Sequence, residues 1–215
     1  MQTRLIVLRH GETVWNAEER FQGHGDSPLT ETGRRQAAAL GRRVREIGVD
    51  VLIASDLGRT RQTAAYISEA TGHRIRTDKR LRERNYGVLE GLTLPEIQEG
   101  FPTALARLRG DDPEYVIPGG ESHRQHYERN VDFIRSAVAD HPGVRIALVA
   151  HGGVLDSLFR FVARLPLNHP RCFTTANASL SVFVYGQFYG SRRWVIETWC
   201  DIGHLDGIGF FGGLG

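Results

Sequence analysis

Leu5-Ile6-Val7-Leu8-Arg9-His10-Gly11-Glu12-Thr13 decides the fold, because four consecutive apolar residues run directly into a cation, an imidazole and a glycine. A short, uninterrupted apolar run fits a strand covered on both faces, as in a parallel sheet. The polar residues then stand at the strand's C-terminal end. Val144-Arg145-Ile146-Ala147-Leu148-Val149-Ala150 repeats the pattern and stops at His151-Gly152-Gly153. In a parallel sheet both histidines enter one crevice, beyond the carboxyl ends of the strands, where open α/β sheets bind their ligands.

The rest of the chain alternates in the same sense. Thr30 precedes an alanine-rich helical pattern that ends at Ile47-Gly48. Residues 49–54 form a strand that feeds Ser55-Asp56-Leu57-Gly58-Arg59, with Ser55 or Asp56 as the expected cap of a helix from Leu57 to Ala70. A short strand at 74–77, helices at 122–139 and 154–163, and strands at 179–185 and 193–199 joined by a hairpin at 186–191 complete the pattern. We therefore expect a single domain over 1–215, of the α/β class: a three-layer α/β/α sandwich with a mainly parallel central sheet. Two segments break the rhythm. The Gly- and Pro-rich stretch at about 84–121 reads as an irregular lid with one short helix near 101–109, and residues 203–215 read as a loosely held tail.

Bulk composition narrows the class. With 40% hydrophobic and 24% charged residues in 215, the chain is an ordinary globular protein and not a disordered one. The apolar N-terminal run is too short for a signal peptide or a membrane span, so no membrane partner and a cytoplasmic location are expected. Cys172 and Cys200 are too few for a disulfide framework and are expected as ordinary buried thiols in a reducing compartment. All but one of the 27 basic residues are arginine, yet they lack the density of a nucleic-acid face, and Arg34-Arg35 and Arg42-Arg43 lie among carboxylates. No nucleic-acid partner is expected, and a homo-oligomer is left open.

An arginine beside a histidine opposes a bound dication and favours an anion. Arg9, Arg59, His10 and His151 can together surround a tetrahedral phosphoryl group. The sequence has no Walker-type loop, no Cys-x5-Arg loop and no aspartate-initiated DxD motif, so phosphoryl transfer here needs another nucleophile, and a positioned imidazole can serve. Asp201 and Cys172 are alternatives that stand apart from phosphate-binding groups. The proton donor is open between Glu83 and rivals such as Glu121, which sits in a Gly-Gly-Glu-Ser turn. His123 and His126, three apart on a helix, are read as surface residues, because no third metal ligand is evident. His24 is kept as a residue that could touch substrate.

Leu8-Arg9-His10-Gly11-Glu12-Thr13-x-Trp15-Asn16 resembles the signature of the histidine phosphatase superfamily, the family that contains cofactor-dependent phosphoglycerate mutase. The resemblance continues through residues 21–33, Ser55-Asp56-Leu57-x-Arg59, residues 81–91, Gly119-Gly120-Glu121-Ser122 and Val149–Gly153, in order over nearly the whole chain. It implies a phosphoglycerate mutase-like fold and a metal-free reaction without a cofactor. It also implies His10 as the nucleophile that becomes phosphohistidine, with Arg9, Arg59 and His151 binding the phosphoryl group. Asn16 and the backbone near Gln22-Gly23 would assist, and Glu83 matches the family's proton donor. His151 would be most useful when protonated.

The same residues serve a phosphatase or a mutase. Where glycolytic members continue Phe-x-Gly with tryptophan, this chain has His24. Between Gly91 and Pro118, Arg107 and Arg109 are set against five carboxylates, an acidic lid expected to repel a second phosphate. The expected function is thus a phosphomonoesterase acting on a small phosphorylated metabolite. Mutase-type transfer is the alternative, and a phosphate- or phosphopeptide-binding module the reading from a different class.

Overall fold

The computed structural model describes residues 1–209. Its centre is a six-stranded sheet of β1 (Thr3–Arg9), β2 (Val51–Ala54), β3 (Ile75–Thr77), β4 (Arg145–Ala150), β5 (Leu180–Phe188) and β6 (Ser191–Asp201), in the order β3-β2-β4-β1-β5-β6. β1, β2, β3 and β4 are mutually parallel, and the β5–β6 hairpin adds two antiparallel strands beside β1. The hairpin turn has only two residues, Tyr189 and Gly190, both at positive φ (48° and 82°), the twist that suits a tight hairpin.

Alternation along the strands divides the core. Ile6 and Leu8 of β1 and Ala147 and Val149 of β4 pack with α2 (Glu31–Ile47) and α3 (Gly58–Thr71). Leu5 and Val7, with Ile146, Leu148 and Ala150, pack with α6 (His123–Asp140) and α7 (Gly152–Ala163) on the other face. Helices thus cover both faces, which is why β1 and β4 read as continuous apolar runs. A short helix α1 (Val14–Ala17), not foreseen in the sequence, is held by a capping box between Thr13 and Asn16. No helix among the described residues is long and apolar enough to cross a membrane.

The lid is not irregular. It carries one 3₁₀ turn, at Gly87–Leu89, followed by two short helices, α4 (Leu94–Gly100) and α5 (Pro102–Arg109). Leu89, Ile97, Ala104, Leu105 and Ile117 form its own apolar cluster. The helix expected near 101–109 is α5, whereas α4 was not foreseen; Pro95 and Pro102 each sit in the first turn of a helix, where the missing N–H costs nothing. The expected loose tail also changes: Gly203–Leu205 is a 3₁₀ turn that buries Leu205 against α2, while residues 210–215 lie outside the described residues.

Candidate active site

Parallel pairing of β1 with β4 places Arg9 opposite Ala150, and His10 N donates to Ala150 O at 3.1 Å. The two strand-end histidines therefore emerge side by side, with ring centroids 5.3 Å apart and planes at 62°. His10 Nδ1 is 2.8 Å from Gly11 O, an oxygen that can only accept. Nδ1 thus holds the ring proton, and Nε2 presents its lone pair. Burial, reinforced by Arg59 and Arg9, pushes His10 well below the ordinary histidine range.

The site's cations are buried and braced by backbone. Arg9 Nη1 donates to Thr175 O at 2.7 Å, and burial lowers its guanidinium to about 10, still charged at neutral pH. Arg59 is 1% exposed and donates to Gly25 O and Gly23 O, each at 2.8 Å. The expected Ser55 or Asp56 cap of α3 is not made. Leu57 occupies the cap position without a side-chain bond, and Asp26 reaches in from the preceding loop to accept from Arg59 N at 3.2 Å. Asp56 instead grips Arg82 through both oxygens, at 2.7 and 2.6 Å. A guanidinium that makes two charge-assisted bonds outcompetes a single backbone N–H for a carboxylate.

His151 Nε2 pairs with Ser55 Oγ at 3.0 Å. Burial, with Arg59 and His10 beside it, pushes His151 well below its ordinary range, so the protein alone holds it neutral rather than protonated. Arg9 Nε, Arg59 Nε and His151 Nδ1 are buried without a hydrogen-bond partner in the protein. Leaving buried polar nitrogens unpaired is costly. Three of them around one imidazole suit a tetrahedral anion.

Asn16 Oδ1 is occupied by Thr13 N and by Asn177 Nδ2, which leaves its amide NH2 as the end able to donate outward. Gln22 is buried, with Oε1 unpaired. Gly23 has φ +54°, and a Cβ there would lie 2.1 Å from Glu90 Oε1, so glycine alone fits this close approach. Glu90 ties the loop down by accepting from His24 N, Gly25 N and Tyr86 N at 2.7, 2.7 and 3.0 Å.

Glu83 joins this group from the lid base. Its Oε1 accepts from Arg84 N at 2.8 Å and its Oε2 from Gly153 N, in the first turn of α7, at 3.0 Å. A carboxylate at a helix N-terminus is favoured by the orphan N–H groups and the helix dipole. Arg129 fixes the segment by donating to the carbonyls of Arg80, Arg82 and Glu83. His24 Nε2 also reaches Glu83 O at 3.0 Å. The rival Glu121 is engaged elsewhere: burial raises its carboxyl, but Arg129 and Asn85 N–H outweigh that and bring it down to about 2. Ser122, not Glu121, caps α6.

Several readings need correction. His126 is 1% exposed and lies against Glu83, and His123 is partly covered and 3.4 Å from Asp156, so neither is a plain surface residue. Cys172 is exposed and Cys200 half-buried rather than both buried. The lid carboxylates are partly paired, which counting charge along the chain does not show: Arg20 bonds Glu96, Arg107 bonds Asp112 and Arg124 bonds Glu114. A cleft of about 340 Å³ at the lid carries both signs: Arg84, Arg107, Arg109, Arg160 and Arg171 line it with Asp111 and Asp112, and Arg107 bonds Asp112. Sequence reading also missed Ser55, Asp26, Glu90, Thr175 and Asn177. Asn177 Nδ2 donates to His10 O at 3.1 Å from the turn just before β5, and only its place in a small polar run before a strand hinted at it.

This geometry defines a class, a phosphoryl pocket built on two strand-end histidines. Residues 5–202 match the family model of the histidine phosphatase superfamily, branch 1, and the chain belongs to that superfamily. A Klebsiella pneumoniae protein named as a probable phosphoglycerate mutase, GpmB, is 41% identical over 204 residues, covering 94% of this chain and 95% of that protein. The solved mycobacterial glucosyl-3-phosphoglycerate phosphatase is 32% identical with a TM-score of 0.82, over 93% of this chain and 99% of its own. Bacillus stearothermophilus YhfR is 32% identical with a TM-score of 0.83, over 94% and 99%. The fold is phosphoglycerate mutase-like, as the sequence led us to expect.

Proposed function

We propose that this protein is a phosphomonoesterase that works through a phosphohistidine on His10 and acts on a small phosphorylated metabolite. The observation that carries it is the His10 Nδ1 contact with Gly11 O, which aims Nε2 into a pocket shared by Arg9, Arg59, His151 and Glu83. Nε2 attacks phosphorus, the ester P–O bond breaks, and Glu83 gives its proton to the departing alkoxide oxygen. Water then attacks the phosphohistidine, Glu83 takes a proton from it, and the P–N bond breaks to release phosphate and restore His10. Arg9 and Arg59 offset charge on the equatorial oxygens throughout. A phosphoryl dianion between them also favours a proton on His151, reversing the effect of the bare pocket. Asn16 NH2 and the Gln22-Gly23 segment would complete the cradle.

With Glu83 protonating the leaving oxygen, the alcohol half would lie on its side of the pocket, toward Arg84 and the arginine-rich cleft that Arg84 lines. That cleft suits an alcohol half carrying its own negative charge. The same cleft favours a second reading, mutase-type transfer, since it could retain an acidic product until His10 returns the phosphoryl group. The likeness to a phosphatase of glucosyl-3-phosphoglycerate and to a probable phosphoglycerate mutase supports both.

The test is a panel of phosphomonoesters with phosphate release and isomer exchange measured together, and acid-labile, base-stable label sought on His10. Release without exchange supports the phosphatase. Exchange without release supports the mutase, and no label on His10 sinks both.

A further inference from the structure

His126 sits one helical turn into α6, and its Nε2 is 3.7 Å from Glu83 Oε1. The same nitrogen is 3.0 Å from Asn130 Nδ2, which also donates to Ser157 Oγ on α7 at 3.2 Å. His126, Asn130 and Ser157 are all buried, at 1%, 0% and 0% exposure. The Asn130 amide donates to Nε2, which puts the imidazole proton on Nδ1 and turns an uncharged ring edge toward the carboxyl group. No spare volume separates the parts: a Cβ on Gly153 would lie 2.1 Å from Glu83 Oε1 and 2.9 Å from His126 Cε1.

We propose that His126 is a positioning residue for the proton donor: held by Asn130 and Ser157, its neutral ring sets the Glu83 carboxyl group against Gly153 N–H on the leaving-group side. The inference rests on Glu83 being that donor. The charge of the ring matters as much as its shape. An imidazolium this close would hold Glu83 ionised and unable to give a proton, whereas a neutral ring leaves it free to cycle. The groups facing His126 are Arg129, Glu121, His123, Arg84 and Glu83; burial first, then Arg129, His123 and Arg84, push it down, against Glu121 alone among the carboxylates acting most strongly on it. An aliphatic residue of similar size would fill the space but strip the buried Asn130 amide of its acceptor.

The experiment compares His126→Leu with His126→Gln, which retains an acceptor for Asn130. Turnover is measured on an alkyl phosphate and on p-nitrophenyl phosphate, with the pH profile of kcat/KM and phosphohistidine formation from the nitrophenyl ester. General acid assistance is worth about 10²- to 10⁴-fold, so a displaced donor in His126→Leu should slow the alkyl ester at least about tenfold more than the nitrophenyl ester. The pH profile should shift with it, and His126→Gln should recover most of the loss. Equal loss on both esters with an unmoved pH profile overturns the positioning role, even though His10 is still labelled. Absence of label in the wild-type protein would instead remove the proposed function itself. If His126→Leu does not fold, Ser157→Ala removes one support of the Asn130 amide, and the same ester bias, smaller, is required of it; no bias there overturns the inference.

Discussion

Gly153 N donates to Glu83 Oε2 at 3.0 Å, and a Cβ at position 153 would lie 2.1 Å from Glu83 Oε1. Glu83, the proposed proton donor, and the helix terminus are thus in contact only because residue 153 has no side chain. Gly153→Ala should push Glu83 out of register while leaving the sheet intact. We expect a loss of about tenfold or more on alkyl phosphates and much less on p-nitrophenyl phosphate, in line with lost acid assistance. Paired kinetics with a melting curve check it; equal rates on both esters would contradict the contact's importance.

Glu83→Gln keeps the volume and removes the transferable proton. Esters with poor leaving groups should slow by about 10²-fold or more, since they depend on that proton, and good leaving groups far less. A uniform loss across a leaving-group series would move the proton donor to another residue. His10→Ala should abolish turnover on every ester with the fold retained by circular dichroism.

Glu90 accepts three backbone N–H groups and so anchors the loop that supplies Gly23 O and Gly25 O to Arg59. Hydrogen bonds to a charged group contribute about 1.5–3 kcal/mol each at most, and they share one carboxylate here, so Glu90→Ala should destabilise by about 2–4 kcal/mol in total. Urea denaturation measures it, and KM should rise as the Arg59 cradle loosens. An unchanged midpoint would show that the loop is held by other contacts.

Burial pushes His10, His126 and His151 well below the ordinary histidine value of 6.5. The unfolded chain therefore binds protons that the fold refuses, and below that pH stability falls as pH falls. Above it the contribution is fully present. Each such histidine costs about 1.4 kcal/mol per pH unit in the limiting slope. Glu121 and Asp156, both lowered, add a second loss in the acid carboxylate range. Urea midpoints at pH 7.5, 6.5 and 5.5 test this; a flat profile would contradict it, and His126→Leu should reduce the slope.

Arg84 and Arg107 line the arginine-rich cleft at the lid. Arg84→Ala and Arg107→Ala should raise KM for esters whose alcohol half is anionic by about 10-fold each, one lost charge-assisted hydrogen bond, with little effect on neutral esters. Matched substrates with and without a carboxylate provide the comparison, and a parallel rise in both would remove the cleft from substrate recognition.

The parallel core of the fold was legible because its signals are local and repeated. Leu5–Leu8 and Val144–Ala150 are apolar on both faces, and each carries its histidine one step past its end. The lid was legible only in part: the helix near 101–109 is α5, but α4 is too short to show a helical period, and the proline at its start looks like a break. Its charge was legible only as a count, since residue counts do not reveal that Arg20 and Arg124 from other segments pair with Glu96 and Glu114. Asn177 and Thr175 lay in a loop whose destination no periodicity encodes.

The sequence by itself determined the two strand-end histidines and the arginines at positions 9 and 59, because apolar strands ending in polar residues deliver them to one sheet edge, and its motifs carried the family resemblance. Only the tertiary structure decided what surrounds Glu83. Its partners Gly153, Arg129, His126 and His24 come from three other segments, 46 to 70 residues away for the first two and His24. Such contacts follow from packing α6 and α7 on one face of the sheet, and volume and hydrogen-bond geometry there are fixed only when the layers close.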